Sequence, residues 1–296
     1  MNRAMDHVLT HLNSSLRLED VAQAAGFSPC HFHRVFKSLV GETLNDFVKR
    51  QRLERALRAM SHAPERSLTE IALDCGFSSS SDFSRSFKAR YGVPPSAFDL
   101  GEWRKSKRAQ MQETVAGEQL RGLLDKLPVG ENPDGFEATI RKLPARTVAY
   151  IRVNDPYRGG VTEAVERLVD WARERGCADG QWLGYMWEDP EIVALEDCRY
   201  DAAVVVDDVQ PEGEVGRYEF PELLVAEVVI RGPIDLEMRA IDWLYCTWLP
   251  RSGYEPDDQP SFEAWDGMPF AHGYEHFELA VQLPIRRAGS IPARYH

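Results

Sequence analysis

The stretch Leu18-Glu-Asp-Val-Ala-Gln-Ala-Ala-Gly-Phe-Ser28 returns 50 residues later as Leu68-Thr-Glu-Ile-Ala-Leu-Asp-Cys-Gly-Phe-Ser78, and this repeat decides how the first third of the chain folds. After one inserted residue the match continues at an offset of 51. It pairs Phe32 with Phe83, Arg34 with Arg85, Phe36 with Phe87, Lys37 with Lys88, Gly41 with Gly92 and Phe47 with Phe98. In the first copy Leu18, Val21, Ala22 and Ala25 fall on one helical face, and Leu68, Ile71, Ala72 and Cys75 repeat that spacing. Ser67, with Glu70 three residues later, fits a capping box. Gly26 and Gly76 follow the last apolar position, where a positive φ ends a helix in a sharp turn. Phe27 and Phe77 then anchor the turn. Each copy is expected to fold as helix, turn, helix, at about 18–40 and 68–91.

The second helix of each copy has two faces. Phe32, Val35, Phe36 and Leu39 are expected inward, which leaves Cys30, His33, Arg34 and Lys37 outward. In the other copy Phe83 and Phe87 go inward and Ser80, Ser81, Ser84, Arg85 and Lys88 outward. Short polar side chains and arginines on an exposed helix suit base-edge and phosphate contacts in a major groove. An ordinary solvated face could carry the same residues once; two copies argue for the groove. Between them Leu44 to about Ser61 reads as a longer helix carrying Lys49, Arg50, Arg52, Arg55 and Arg58. It would set two reading heads into successive major grooves, about 34 Å apart.

The segment Ile71-Ala-Leu-Asp-Cys-Gly-Phe-Ser-Ser-Ser-Ser-Asp-Phe-Ser-Arg-Ser-Phe-Lys88, followed by Tyr91-Gly-Val-Pro-Pro-Ser96, resembles the signature of the AraC/XylS family of transcriptional regulators. The likeness covers residues 1 to about 105. It implies two helix-turn-helix units on a linker helix, with Cys30, His33 and Arg34 reading DNA in one copy and Ser80, Ser81, Asp82, Ser84 and Arg85 in the other. Asp82 would repel phosphate, and it is read here as a helix cap.

Charge divides the chain at the same place. The net charge of -12 argues against a nucleic-acid partner when taken whole, because a phosphate backbone demands a basic footprint. Residues 1–108, however, hold 17 Lys and Arg against 12 Asp and Glu, a net +5, and residues 109–296 carry -17. A basic module joined to an acidic one suggests different partners for each. No run approaches the roughly 18 apolar residues of a membrane span, so no membrane partner is expected. Met1-Asn-Arg-Ala-Met-Asp6 lacks the apolar stretch of a signal peptide. The five cysteines, Cys30, Cys75, Cys177, Cys198 and Cys246, are scattered and form no C-x-x-C pair. A cytoplasmic protein without metal or cofactor is expected.

Three regions follow: a DNA-binding domain at 1–108, a linker at 109–134 and a second domain at 135–296. The second domain alternates strands with two helices. From Phe136 onward strands are expected at Arg146–Val153, Gln181–Glu188, Arg199–Val206, Gly216–Phe220, Leu223–Arg231, Ser261–Trp265 and His276–Pro284, with helices near Val161–Gly176 and Leu236–Trp248. The fold class is thus an all-α double helix-turn-helix domain followed by an α+β domain of two β-β-α-β-β repeats around a ligand cleft. Six of the seven tryptophans lie in this half, and aromatics of this kind usually fill a core. An acid among them is different. Ser261-Phe-Glu-Ala-Trp265 puts Glu263 on a strand between aromatics. A carboxylate in an aromatic pocket suits a ligand that brings a positive charge or a donor.

This half resembles the GyrI-like small-molecule-binding domain, also found as the effector domain of multidrug-responsive regulators. The likeness rests on Ala145-Arg-Thr-Val-Ala-Tyr150, Trp182-Leu-Gly-Tyr185, Arg199-Tyr-Asp-Ala202, Pro260-Ser-Phe-Glu-Ala-Trp265 and Phe277-Glu-Leu-Ala-Val-Gln-Leu-Pro284, over about 136–287. It implies a cleft between two halves in which Glu263 meets lipophilic cations, with Tyr150, Tyr185, Trp187 and Trp265 as candidate walls. The expected partners are double-stranded DNA and a small-molecule effector, with RNA polymerase as a further candidate. Two other readings of the second domain stay open: a hydrolase of small reactive molecules using Glu263 and Tyr185, and a protein-interaction module.

Overall fold

A computed structural model describes residues 1–62, 66–114, 128–208, 210 and 212–288. The expected linker at 109–134 lies partly outside these residues. The chain forms two compact units, Met1–Lys105 and Ser106–His296.

The first unit is helical: α1 (Asn2–Thr10), α2 (Leu18–Ala24), α3 (Pro29–Val40), α4 (Leu44–His62), α5 (Leu68–Asp74), α6 (Ser80–Tyr91) and the start of α7 (Leu100–Thr114). Both turns form as the glycines require, with φ at 76° in Gly26 and 87° in Gly76. Gly76 is needed twice over, because any side chain there would also run into the Leu12 carbonyl. Ser67 and Glu70 make the full capping box at α5. Arg17, its counterpart before α2, caps nothing with its side chain. The α6 cap is Ser79, which accepts from the Asp82 amide. Asp82 therefore sits in the first helical turn rather than at the cap position, where its charge favours the helix N-terminus. A chain of rings, Phe77 to Phe83 at 5.2 Å and Phe83 to Phe87 at 5.5 Å, fixes α6 to its turn. Leu39 departs from expectation: it is 67% exposed on the last turn of α3. The core is already closed there by Phe32 and Phe36, both fully buried.

The second unit is a nine-stranded antiparallel sheet with two helices on one face. Its elements are β1 (Thr139–Leu143), β2 (Arg146–Asn154), α8 (Val161–Glu174), β3 (Trp182–Met186), β4 (Arg199–Val206), β5 (Gly216–Phe220), β6 (Leu223–Gly232), α9 (Ile234–Trp243), β7 (Tyr254–Pro256), β8 (Phe262–Trp265) and β9 (Phe277–Arg287). After Trp243 the second helix runs through a π-turn, Leu244–Trp248, and ends at Ser252. The strand order is β1-β6-β9-β8-β3-β4-β2-β5, with β7 joined to β9.

That order is a palindrome, and the register gives it a pseudo-twofold axis. Thr139 pairs with Glu227 as Gly216 pairs with Tyr150, so β1–β2 superposes on β5–β6 at an offset of 77 residues. Pairings of β4 with β2 and β3 match those of β9 with β6 and β8 at an offset of 79. Each half lends its first strand to the other: β1 joins β6 and β5 joins β2. The helices repeat Arg167-x-x-Asp-Trp171 as Arg239-x-x-Asp-Trp243.

The sheet is curled. Phe220 on edge strand β5 and Phe262 on β8 are four strands apart, a separation of about 19 Å in a flat sheet. Their ring centroids are 4.9 Å apart. The concave face thus folds onto itself around Tyr150, Tyr185, Phe220 and Phe262, all nearly fully buried. The other face, carrying Ala149, Ile151, Val204, Val228 and Leu283, packs beneath α8 and α9.

Candidate ligand site and DNA-reading helices

In α3 the side chains of Cys30, His33, Arg34 and Lys37 are all exposed. In α6 Ser81, Arg85 and Lys88 are exposed, and Ser80 and Ser84 are half-buried. Arg85 lies 3.8 Å from Asp82 with 78% of its side chain open, so its fork stays available for a second acceptor. The first unit can offer two short polar helix faces, each ending in cations.

The candidate ligand site lies where the two halves of the sheet meet. β3 and β8 are the central strands, and Gly184 faces Glu263 directly across them. The two positions are each other's twofold mates, at the offset of 79. A side chain at Gly184 would collide with the Glu263 carboxylate and the Tyr200 hydroxyl. The glycine therefore opens the room that the acid occupies.

Glu263 accepts a hydrogen bond from the Tyr200 hydroxyl at 2.6 Å. The Trp265 indole, two residues further along β8 on the same face, also favours the charged form of the carboxylate. Protein surrounds Glu263 densely, yet the residue is only half-buried and part of its surface stays open. Burial raises its carboxyl above the ordinary range, and the bond from Tyr200 and the Trp265 indole hold that rise back. Burial, the Glu263 charge and their mutual bond push the Tyr200 phenol well above its usual value, so it stays protonated and donates. Glu237, in the first turn of α9, is the second acid here. It is 2% exposed, and among the described residues its Oε2 has no hydrogen-bond partner. Burial first, then the Glu263 charge, push Glu237 well above the carboxylate range.

The expected walls divide between the two faces. Trp265 shares the helix-covered face with Glu263. Tyr185 pairs with Phe262, one residue out of phase with Glu263, and its ring packs on Phe262 at 5.6 Å in the concave face. Trp187 lies on that face too, its indole donating to Asp201 at 3.1 Å. So does Tyr150, whose ring lies 5.0 Å from the Arg152 guanidinium. The tyrosine that touches Glu263 is Tyr200, from the Arg199-Tyr-Asp-Ala202 motif. Sequence alternation could have found it, because Tyr200, Ala202 and Val204 share a face with the helices. Glu237 gave no comparable signal: it occupies an apolar position of an amphipathic helix.

The concave face balances its charges differently. Arg152 and Asp201 form a two-pronged ion pair, at 2.7 and 2.6 Å, with side chains 1% and 0% exposed. Arg146 lies 4.4 Å from the centre of the Phe262 ring, and burial lowers its guanidinium to about 10. No helix among the described residues is long and apolar enough to cross a membrane, and no group of three metal-ligating side chains occurs among them.

Comparison with known proteins matches the two units separately. A helix-turn-helix domain model covers residues 21–100, and a GyrI-like small molecule binding domain model covers 136–286. An uncharacterised HTH-type transcriptional regulator, YbfP of Bacillus subtilis (strain 168), is 30% identical over 47% of this chain and 45% of its own length. Regulatory protein PocR of Salmonella typhimurium is 38% identical over 33% of this chain and 32% of its own. The chain thus spans less than half the length of these two relatives. A DNA gyrase inhibitor of Edwardsiella piscicida is 31% identical over 52% of this chain and the whole of its own length. With half the chain matched by one domain model and an entire relative contained in it, this protein belongs to the GyrI-like small molecule binding family, joined here to an AraC-type helix-turn-helix domain.

Proposed function

We propose that the chain is a sequence-specific transcription regulator. Its helix-turn-helix unit reads double-stranded DNA, and its second unit takes up a small lipophilic cation as effector. The observation that carries the reading is Glu263, a half-buried carboxylate at the meeting of the two sheet halves, bonded to the neutral donor Tyr200. Such a site lacks a counter-charge, and a cation with apolar surface supplies both the charge and the burial. The effector must favour one arrangement of the chain over another to regulate. RNA polymerase would be a further partner if the regulator activates. On this reading the second unit binds without turnover.

The test uses the full chain, a promoter fragment and the cation tetraphenylphosphonium. Glu263→Gln is expected to weaken cation binding by about tenfold or more, roughly 1.4 kcal/mol. Arg34→Ala and Arg85→Ala are each expected to cost about 1–3 kcal/mol of specific DNA binding. Unchanged promoter affinity in both arginine variants at physiological salt would sink the recognition-helix assignment.

One observation favours a second reading. Tyr200 and Glu263, 2.6 Å apart, form an acid–base pair that could hydrolyse a small reactive molecule. Consumption of a strained electrophile that stops in Glu263→Gln would establish it.

A further inference from the structure

Glu237 has no role in cation binding by Glu263 alone, yet it is buried within reach of the Glu263 charge, and among the described residues its Oε2 has no partner. A buried, unpartnered carboxylate oxygen is costly when charged. Among the described residues Glu237 makes no ion pair. β8 presents Glu263 and β4 presents Tyr200. On α9 itself, Arg239 is spent on Asp134 and Asp235. The strands that α9 packs on, β6 and β9, bring apolar core side chains, among them Ala226, Val228 and Leu283. Two interacting carboxylates, one of them fully buried and neither in an ion pair among the described residues, cannot both ionise cheaply.

We propose that Glu237 is the second acid of this site, that it shares one proton with Glu263 before a ligand binds, and that an entering cation exchanges for that proton. The proton leaves the carboxyl O–H for the bulk buffer, and the cation takes over as counter-charge to the two carboxylates. The site would then select cations that reach both acids, and its affinity would rise with pH. The pair is protonated below its titration point, and there the cation has to displace a proton. This rests on the cation reading of Glu263 given above.

The experiment is calorimetry on the full chain with tetraphenylphosphonium, a cation with no proton of its own, in two buffers of different ionisation enthalpy. About one proton should be released per cation at neutral pH, with the apparent dissociation constant falling about tenfold per pH unit below the titration point. In Glu237→Gln the release should drop to near zero and the pH slope flatten. Cation binding without proton release, or equal release in Glu237→Gln, overturns the exchange alone. No binding at all removes the cation reading and the exchange with it. A ligand-free measurement isolates the shared proton. The infrared carbonyl band of an un-ionised carboxylic acid should be present at neutral pH and lost in Glu237→Gln. If the wild-type chain has no such band, Glu237 and Glu263 share no proton.

Discussion

Two duplications lie in this chain, and they have diverged in opposite ways. The helix-turn-helix copies keep the same residues at the same places: Arg34 and Arg85, Lys37 and Lys88, Gly26 and Gly76. The sheet copies keep a backbone and lose the chemistry. Gly184 answers Glu263, Leu279 answers Tyr200, and Val229 and Ala280 answer Arg152 and Asp201. Geometry explains the difference. Two reading helices that each meet their own groove can be alike. A single ligand on a twofold axis, as proposed for Glu263, would meet both mates at once. There one side chain must shrink for the other to project, as Gly184 does for Glu263.

The largest effect should come from the polar pair that the second sheet copy lacks. Asp201→Ala removes the carboxylate that takes two bonds from the Arg152 guanidinium and one from the Trp187 indole in the concave core. A cost of about 3–5 kcal/mol is expected in urea unfolding. Arg152→Val with Asp201→Ala installs the apolar pair of the other half, and the double variant should be more stable than Asp201→Ala alone. A double variant as unstable as the single one would mean that the halves are not interchangeable at this position.

The helical copies can be compared at their glycines. Gly26→Ala meets open space, so it should cost only its left-handed backbone, about 1–2 kcal/mol. Gly76→Ala has the same φ penalty and drives a Cβ into the Leu12 carbonyl. It should lower the melting temperature clearly more. Equal losses would show that Leu12 can move away freely.

These residues also mark how far the sequence could be read. Helix spacing, turn glycines and the Ser67 cap are local signals, and all are in place. The alternation of β3 and β8 told which residues share a face, but not which face the helices cover. That depends on pairings such as β1 with β6, whose partners Thr139 and Glu227 lie far apart in the chain. The curl that buries Tyr185 and Trp187 away from Glu263 is set by the same long-range pairings. The sheet duplication was visible as layout only, because its equivalent residues differ where they matter most.

The smallest effect is also the most direct transplant between copies. Arg17 occupies the extended N-cap backbone that Ser67 occupies before α5, with φ and ψ of -102° and 146° against -68° and 147°. Its side chain is exposed and offers no acceptor to the first-turn amides. Arg17→Ser would give α2 an oxygen for the Asp20 amide, as Ser67 gives one to Glu70. Asp20 is shorter than Glu70, so the reciprocal bond to the cap amide should not form, and only half of the box is transferred. A gain of about 0.5–1 kcal/mol is therefore expected in urea unfolding. The opposite test, Ser67→Ala, should cost about 1 kcal/mol, because it removes both the cap oxygen and the hydroxyl bond to the Glu70 carboxylate. Glu70 should then lose the hydroxyl bond, the larger of the two that hold its carboxyl below the ordinary range, and keep the one from the residue 67 amide; the stability that the lost bond adds is present only above the unfolded titration point of Glu70. If Arg17→Ser gains nothing while Ser67→Ala costs its full share, the carboxylate of the N3 residue, rather than the serine, carries the cap.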